Sequence, residues 1–387
     1  MPERSLIFPE AEFRERLARL QSLLHRNGLD ALLLTTAPDI FYITGFLTRF
    51  WESPARPWFL VVPASGEPIA VIPAIGQDLM SRTWIKDIRT WPAPDPSDDG
   101  VSLLAEVLSE QTPDNGRIGI PKGLETHLRM PLGDFERVAD RLGTRAFIDG
   151  TNAIQRCREI KTEAEIEKLR AVCAVADRAF DSVNSFAYAG ATMAEVFRSF
   201  QIKLLEEGAD WVSYVAGVAA QNGYGDVISP ASDTPMQRGD VLMLDTGAVK
   251  DGYFCDFNRN FAIGPVSDDT RRTHEALWYA TQAALDQLRP GMRAMDAHAI
   301  IATEIERHGH RVVGGRQGHG LGLSLTEWPS FTELDGTELR AGMVLTLEPS
   351  AFVQNDRILV HEENIVLRDT GPELLSRRAP FTLPELL

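Results

Sequence analysis

A glycine-led apolar strand ending in an acid occurs twice in this chain, and that repetition constrains the fold more than any other feature. Gly239-Asp-Val-Leu-Met-Leu-Asp245 and Gly342-Met-Val-Leu-Thr-Leu-Glu348 share spacing and pattern. Upstream of each, two glycines bracket a helical stretch of the same length, Gly190 to Gly208 and Gly291 to Gly309. Downstream, each strand runs through a polar turn to a second acid. A unit that recurs in this way is a supersecondary element used twice. Residues 156–387 are therefore expected to form an α+β domain of two pseudo-symmetric halves, with a site where the halves join.

The remaining length calls for a second domain, because 387 residues exceed what one ordinary core organises. Residues 10–27 have helical apolar spacing, whereas ALLLTT (31–36), WFLVVP (58–63), AVIPAI (70–75) and RIGIPKG (117–123) read as short buried strands. WPAPDPSDDG (91–100) is a loop. Residues 1–155 thus read as an α/β domain with helices on a mixed sheet. The boundary falls near 147–160, ahead of Thr162-Glu-Ala-Glu165, a capping box that opens a long amphipathic helix. Thr192-x-x-Glu195 opens the next.

The acids carry the chemistry. An Asp-Gly turn between apolar runs signals a hairpin. Centred between Lys250 and Asp251, that hairpin sets Asp245 opposite Asp256; a turn centred near Asn355 sets Glu348 opposite Glu362. Facing carboxylates on apolar strands repel unless a shared proton or a divalent cation lies between them, and four converging carboxylates suit two cations. His319, in Gly318-His-Gly-Leu-Gly322, is a candidate fifth ligand, because its glycine neighbours permit close backbone approach. Imidazole among carboxylates favours Mn, Fe, Co or Zn over Ca or Mg.

A formal net charge of −16 argues against nucleic acid or an anionic membrane as partner. No apolar run reaches the roughly 20 residues of a membrane span, and MPERSLIFPEAEF lacks the pattern of a signal peptide. The three cysteines, Cys157, Cys173 and Cys255, have no CxxC spacing. A cytoplasmic protein with reduced thiols is the expectation.

Leu244-Asp-Thr-Gly-Ala248, Cys255-Asp256, Gly318-His-Gly-Leu-Gly322, Leu347-Glu-Pro349 and His361-Glu-Glu363 together resemble the pita-bread metallopeptidases: Xaa-Pro aminopeptidases, prolidases, methionine aminopeptidases and creatinase. Asp39-Ile-Phe-Tyr-Ile-Thr-Gly45 is similar to the N-terminal domain of the creatinase/prolidase type. The resemblance implies that Asp245, Asp256, His319, Glu348 and Glu362 (rather than Glu363) bind two divalent metals, Mn, Co, Zn or Fe, which share a hydroxide. It implies a hydrolase of the Xaa-Pro peptidase type that cleaves a C–N bond in a dipeptide or small amino-acid-like substrate. Glu348 would relay the proton, and a homodimer is expected.

Departures from the family pattern qualify the substrate. There is no histidine between His127 and His274, Thr326 stands where the family has a second histidine, and Val360 replaces an arginine. Candidate replacements are Tyr224, Asn222 and Asp226 in one loop, and His361 beside the last ligand. Tyr224 is read either as a donor to a developing oxyanion or as a packed loop residue; His361 either supports the ligands or faces away from them. Arg49 or Arg56, with Trp51 as a wall, is expected to hold a substrate carboxylate across a dimer. The departures leave open a non-peptidase of the same fold, either a small amidine or amide hydrolase or a lyase of the dimethylsulfoniopropionate type. That lyase group carries an extra aspartate where this chain has Gly247. A catalytically dead scaffold would show eroded ligands, and all five positions are filled.

Overall fold

The computed structural model describes residues 7–354 and 356–386, and its contacts divide the chain into two compact units, Met1–Arg158 and Glu159–Leu387. In the first, helix α1 (Glu10–Arg26) buries Phe13, Leu17, Leu20 and Leu24, spaced three or four residues apart along one face. Strands β1 (Ala31–Leu34), β2 (Phe59–Pro63), β3 (Ile69–Pro73), β4 (Asp87–Trp91), β5 (Arg117–Ile120) and β6 (Ala146–Asp149) form one sheet in the order β4-β3-β2-β1-β5-β6. The pairs β1–β2 and β2–β3 are antiparallel and the other three parallel, so the sheet is mixed. Every residue of β1, β2 and β3 is buried, which is why their sequences run apolar instead of alternating. Helices α2 (Ala37–Thr44), α3 (Gln77–Met80), α4 (Val101–Gln111), α5 (Leu132–Arg141) and α6 (Thr151–Arg158) complete this unit. Leu33, Val61 and Val71 of the sheet pack with Leu104 and Leu108 of α4 and Val138 of α5. Asp39 on α2 is buried and ion-paired to Arg158 at 2.7 Å.

The second unit is built twice over. Helices α7 (Glu163–Asp181) and α8 (Met193–Glu206) precede strands β7 (Trp211–Gln221), β8 (Asp240–Lys250), β9 (Tyr253–Phe254) and β10 (Phe257–Ile263). Helices α9 (Asp268–Gln287) and α10 (Ala294–Arg307) then precede β11 (His319–Gly320), β12 (Glu327–Ser330), β13 (Val344–Leu347), β14 (Ser350–Phe352), β15 (Ile358–Val360), β16 (Glu363–Arg368) and β17 (Gly371–Leu374), with β18 (Glu385–Leu386) at the end. The sheet β18-β10-β8-β7 of the first half and β12-β11-β13-β16-β17 of the second share a core of three antiparallel strands in like order. Val241 and Met243 of β8 join Leu345 and Leu347 of β13 in one cluster with Leu277 of α9 and Ile301 of α10. Burying both halves against each other closes the domain, which neither half could do alone.

The register of the first hairpin differs from the sequence expectation by two residues. Lys250 pairs with Tyr253, so Asp251 and Gly252 are both central turn residues. Their φ values of +53° and +84° match the turn that suits a tight hairpin. Asp245 therefore faces Asn258, and Asp256 sits two residues along on the same face. A slip of two leaves side chains on their original face. In the second half Leu347 pairs with Glu363 and Ser350 with Val360, which puts Glu348 across from Glu362. Asn355, on which the sequence centres that turn, lies outside the described residues.

Both capping boxes form. The Thr162 hydroxyl accepts from the Glu165 N–H and the Glu165 carboxylate accepts from the Thr162 N–H; Thr192 and Glu195 do the same. Replacing Thr162 with Ala should cost about 1 kcal/mol, read as a lower denaturation midpoint at unchanged slope. An unaltered midpoint would show that the cap contributes nothing.

Candidate metal centre

Five elements of the second unit bring their acids and one imidazole together. Asp245 lies within β8, Asp256 in the link between β9 and β10, and His319 opens β11; Glu348 follows β13 and Glu362 precedes β16. Their ligand-type atoms form two groups, Asp256 with His319 and Glu348, and Asp245 with Asp256 and Glu362, each within 4.8 Å. Asp256 belongs to both. Gly318 and Gly320 let β11 wedge between its neighbours: a Cβ on Gly318 would stand 2.3 Å from the Thr346 carbonyl oxygen, and one on Gly320 2.0 Å from that of Trp328.

The chemistry of this donor set fits two cations. His319 Nδ1 lies 2.7 Å from the Gly320 carbonyl oxygen, an acceptor only, so Nδ1 carries the hydrogen. Nε2 then faces Glu348 at 2.8 Å and Asp256 at 3.3 Å. A ring nitrogen fixed by a carbonyl and aimed among carboxylates is how histidine meets a metal. One oxygen of Asp245 and one of Glu362 are buried without any hydrogen-bond partner, which is costly unless a positive charge sits there.

The electrostatics say the same. Burial, then the charge of Asp256, holds the Asp245 carboxyl well above the ordinary range. Burial, then the charges of Asp245 and Glu348, does so for Glu362. Burial pushes Asp256 upward too, against the opposing pull of His319. At His319 burial favours the neutral ring, but the charge of Glu348 and the bonds to Asp256 and Glu348 outweigh it and raise the ring to about 10. Glu348, raised by burial, is brought down to about 2 by the His319 charge. A charge on His319 would offset part of the carboxylate repulsion.

Several supporting residues escaped the sequence. The Thr346 hydroxyl donates to Glu348 at 2.6 Å and accepts from the His319 N–H at 2.9 Å. The Asn364 side chain clamps the Asp256 backbone, accepting from its N–H and donating to its C=O. Glu327 accepts from the N–H groups of Leu323 and Ser324 and pairs with Lys161 at 2.9 Å, with both side chains almost fully buried. This fixes the loop that follows His319. Tyr214 on β7 is half-buried, and burial plus the charge of Asp245 push its phenol upward.

Other expected site residues lie elsewhere. The Tyr224 hydroxyl is fully buried, donating to Asn260 at 3.0 Å and accepting from the Val360 N–H at 2.7 Å. Its proton is committed, so the oxyanion-donor reading is corrected. His361 turns away from the acids to meet His274 at 2.9 Å, as strand alternation requires of a neighbour of Glu362. Asn222 is exposed and accepts from the Ser267 N–H at the start of α9. Asp226 folds back on Ile228 and Ser229. Thr326 is half-buried in the loop after His319. In the first unit Arg49 is paired with Glu52, Arg56 stacks on Phe50, and Trp51 packs against Trp58 beneath Arg129.

Comparison with known proteins agrees with this geometry. Residues 167–369 match the model of metallopeptidase family M24, and residues 16–160 that of the creatinase/prolidase N-terminal domain. The chain is 24% identical over 366 residues to a Xaa-Pro dipeptidase of Pyrococcus horikoshii, covering 94% of this chain and 97% of that one. It is 27% identical over 347 residues to a Xaa-Pro dipeptidase of Lactobacillus delbrueckii subsp. lactis, covering 87% and 90%. Among solved structures it superposes on dipeptidase PepE from Mycobacterium ulcerans with a TM-score of 0.84 at 27% identity, covering 98% and 99%. The recombinant prolidase from Thermococcus sibiricus gives 0.85 at 23%, covering 97% and 99%. Among the described residues no helix is long and apolar enough to cross a membrane.

Cation binding must expel protons from Asp245, Glu362 and His319. For a carboxylate whose folded pKa is raised, stability falls as pH climbs above the unfolded value near ~4. The stripped protein therefore loses ground with rising pH and the loaded protein does not. The gap in melting temperature between manganese-loaded and EDTA-stripped protein should widen from pH 5 to pH 7.5. A gap that stays constant would contradict the reading.

Proposed function

Because this chain belongs to metallopeptidase family M24, we propose that it hydrolyses a C–N bond in a dipeptide or small amino-acid-like substrate. The observation that carries this is the cage itself: buried carboxylates with unpartnered oxygens, placed around a fixed imidazole. Asp245, Asp256, His319, Glu348 and Glu362 hold two divalent cations, for which the mixed oxygen and nitrogen donors favour Mn, Co, Zn or Fe. When bound, such cations supply the Lewis acidity that activates water at neutral pH. Glu348, with one oxygen already taking the Thr346 hydroxyl, moves the proton from the attacking water to the leaving nitrogen. His319 keeps its orientation through Gly320, and Asn364 keeps Asp256 in place.

The N-terminal aromatic-basic loop supplies the substrate end. Arg49 and Arg56, with Trp51 as a wall, take a substrate carboxylate in a homodimer of this cytoplasmic enzyme. The exposure of Arg49 supports this role. Thr326 and the missing family histidines favour a second reading on the same scaffold: a small amidine or amide hydrolase, or a lyase of the dimethylsulfoniopropionate type. Tyr214 is half-buried beside Asp245, its hydroxyl donating to the Val227 carbonyl oxygen at 3.3 Å.

Metal analysis should find two cations per chain, with turnover of at least one Xaa-Pro dipeptide. Glu348→Gln should lower kcat by about 10²–10⁴-fold. Two cations with no dipeptide cleaved would transfer the assignment to the second reading, and an uncharged protein with no cation would remove both. Separately, Arg49→Ala should raise KM for a carboxylate-bearing substrate without loss of metal; unchanged kinetics would take that loop out of the site.

A further inference from the structure

The C-terminal strap, residues 376–386, roofs a cavity of about 490 Å³ in the second unit. None of the five cage residues lines it. The strap is tied at both ends. Near its start the Ser376 hydroxyl and the Ala379 N–H donate to Glu363, and the Arg377 N–H donates to Asp177. At its end β18 pairs with β10. The walls are Phe180 and Phe261, and the polar lining includes Asp177, His274, His361 and Arg378.

Arg378 is the unusual member. It is half-buried, lies 4.2 Å over the Trp278 ring, and donates to the Gln282 side-chain oxygen and the Trp278 carbonyl, each at 2.8 Å. Both acceptors are neutral. Its neighbours differ: Arg377 pairs with Asp181 at 2.7 Å and Arg259 with Glu363 at 3.0 Å. Among the described residues no carboxylate stands at ion-pair distance from Arg378, and burial draws its pKa down. A partly desolvated guanidinium without a contacting anion is a carboxylate site waiting for its counter-charge.

The imidazoles are tied to the strap and to each other. His274 Nε2 lies 3.0 Å from the Pro380 carbonyl oxygen, which accepts only, so that nitrogen carries the hydrogen. His361 Nε2 lies 2.9 Å from His274 Nδ1. The half-buried Asp177 adds a carboxylate. An anion receptor, a carboxylate and two aromatic side chains lining one cavity describe a ligand with a carboxylate, an ammonium and an apolar body.

We propose that this cavity binds a free amino acid, with the carboxylate on Arg378, the ammonium toward Asp177, and the side chain between Phe180 and Phe261. The wall next to the cage makes the binding consequential. Arg259, which lines the cavity, donates to the Glu362 carbonyl oxygen at 2.9 Å, and His361 is the residue before Glu362. Arg259 and His361 thus join the cavity to the backbone of Glu362, which lies between β15 and β16. The binding itself is independent of the proposed hydrolysis.

Calorimetric titration of the metal-loaded protein with proline, glycine and acetate tests this. Saturable binding of one proline per chain is expected, with acetate weaker. Arg378→Gln should weaken proline roughly tenfold or more, and Phe261→Trp, which fills the space, should abolish it. Arg378→Lys should retain most of it, which guards against a variant that merely fails to fold. Asp245→Asn, which damages the cage, should bind proline as before. Proline binding that survives both Arg378→Gln and Phe261→Trp, or that vanishes in Asp245→Asn, places the ligand in the cage and overturns the proposal. So does acetate binding as tightly as proline, or no binding by the unaltered protein. Dipeptide turnover, measured on the same samples, reports separately on the hydrolase reading.

Discussion

Like charge gathered in a dry place is the constraint around which the second unit is arranged. Asp245, Asp256, Glu348 and Glu362 converge around His319, with the charge of Arg316 also acting on Asp256 and Glu348, and one oxygen each of Asp245 and Glu362 is buried without a hydrogen-bond partner. Without a cation such a cluster softens its repulsion by holding protons or by charging the imidazole, the directions in which Asp245, Glu362 and His319 are shifted. Leaving buried charge unmatched costs several kcal/mol per group. That the fold tolerates this arrangement is the best argument that cations complete it.

The duplication explains how a single chain can meet that demand. Each half supplies one acid from a central strand or just past its end and a second from the segment leading into the neighbouring strand, and each half alone has an apolar face to cover. Val241 and Met243 from one half meet Leu345 and Leu347 from the other in a shared core. The contact that closes the hydrophobic core also brings the carboxylates together. Asn364, Thr346 and Glu327 then hold backbone and side chains that repulsion would otherwise spread. Rigidity is supplied by neutral amides and hydroxyls and by the buried ion pairs Lys161–Glu327 and Arg259–Glu363.

Much of this was legible in the sequence. An apolar run closed by an acid, used twice, pointed to Asp245 and Glu348, and the glycines around His319 announced a tight approach. The first hairpin was misjudged by two residues because an Asp-Gly pair does not say which turn positions it fills; since a slip of two keeps the face, Asp256 still reached the cage. Tyr224 and His361 were harder. Their partners, Asn260, Val360 and His274, are 36, 136 and 87 residues away, and no local pattern records who meets whom across such spans. Tyr214 needed the pairing of β7 with β8, which carries an irregularity between Val212 and Tyr214.

The Lys161–Glu327 pair has a consequence for how the molecule comes to exist. Its two members are separated by 166 residues, and the turn after His319 is held in shape by Glu327. Closing so long a loop is entropically unfavourable and kinetically slow. A growing chain has made the start of α7 long before Glu327 emerges, so Lys161 must stay solvated until its counterpart arrives. The imidazole would therefore reach its final pose late in the assembly of the domain, once β11 and β12 have joined the second sheet.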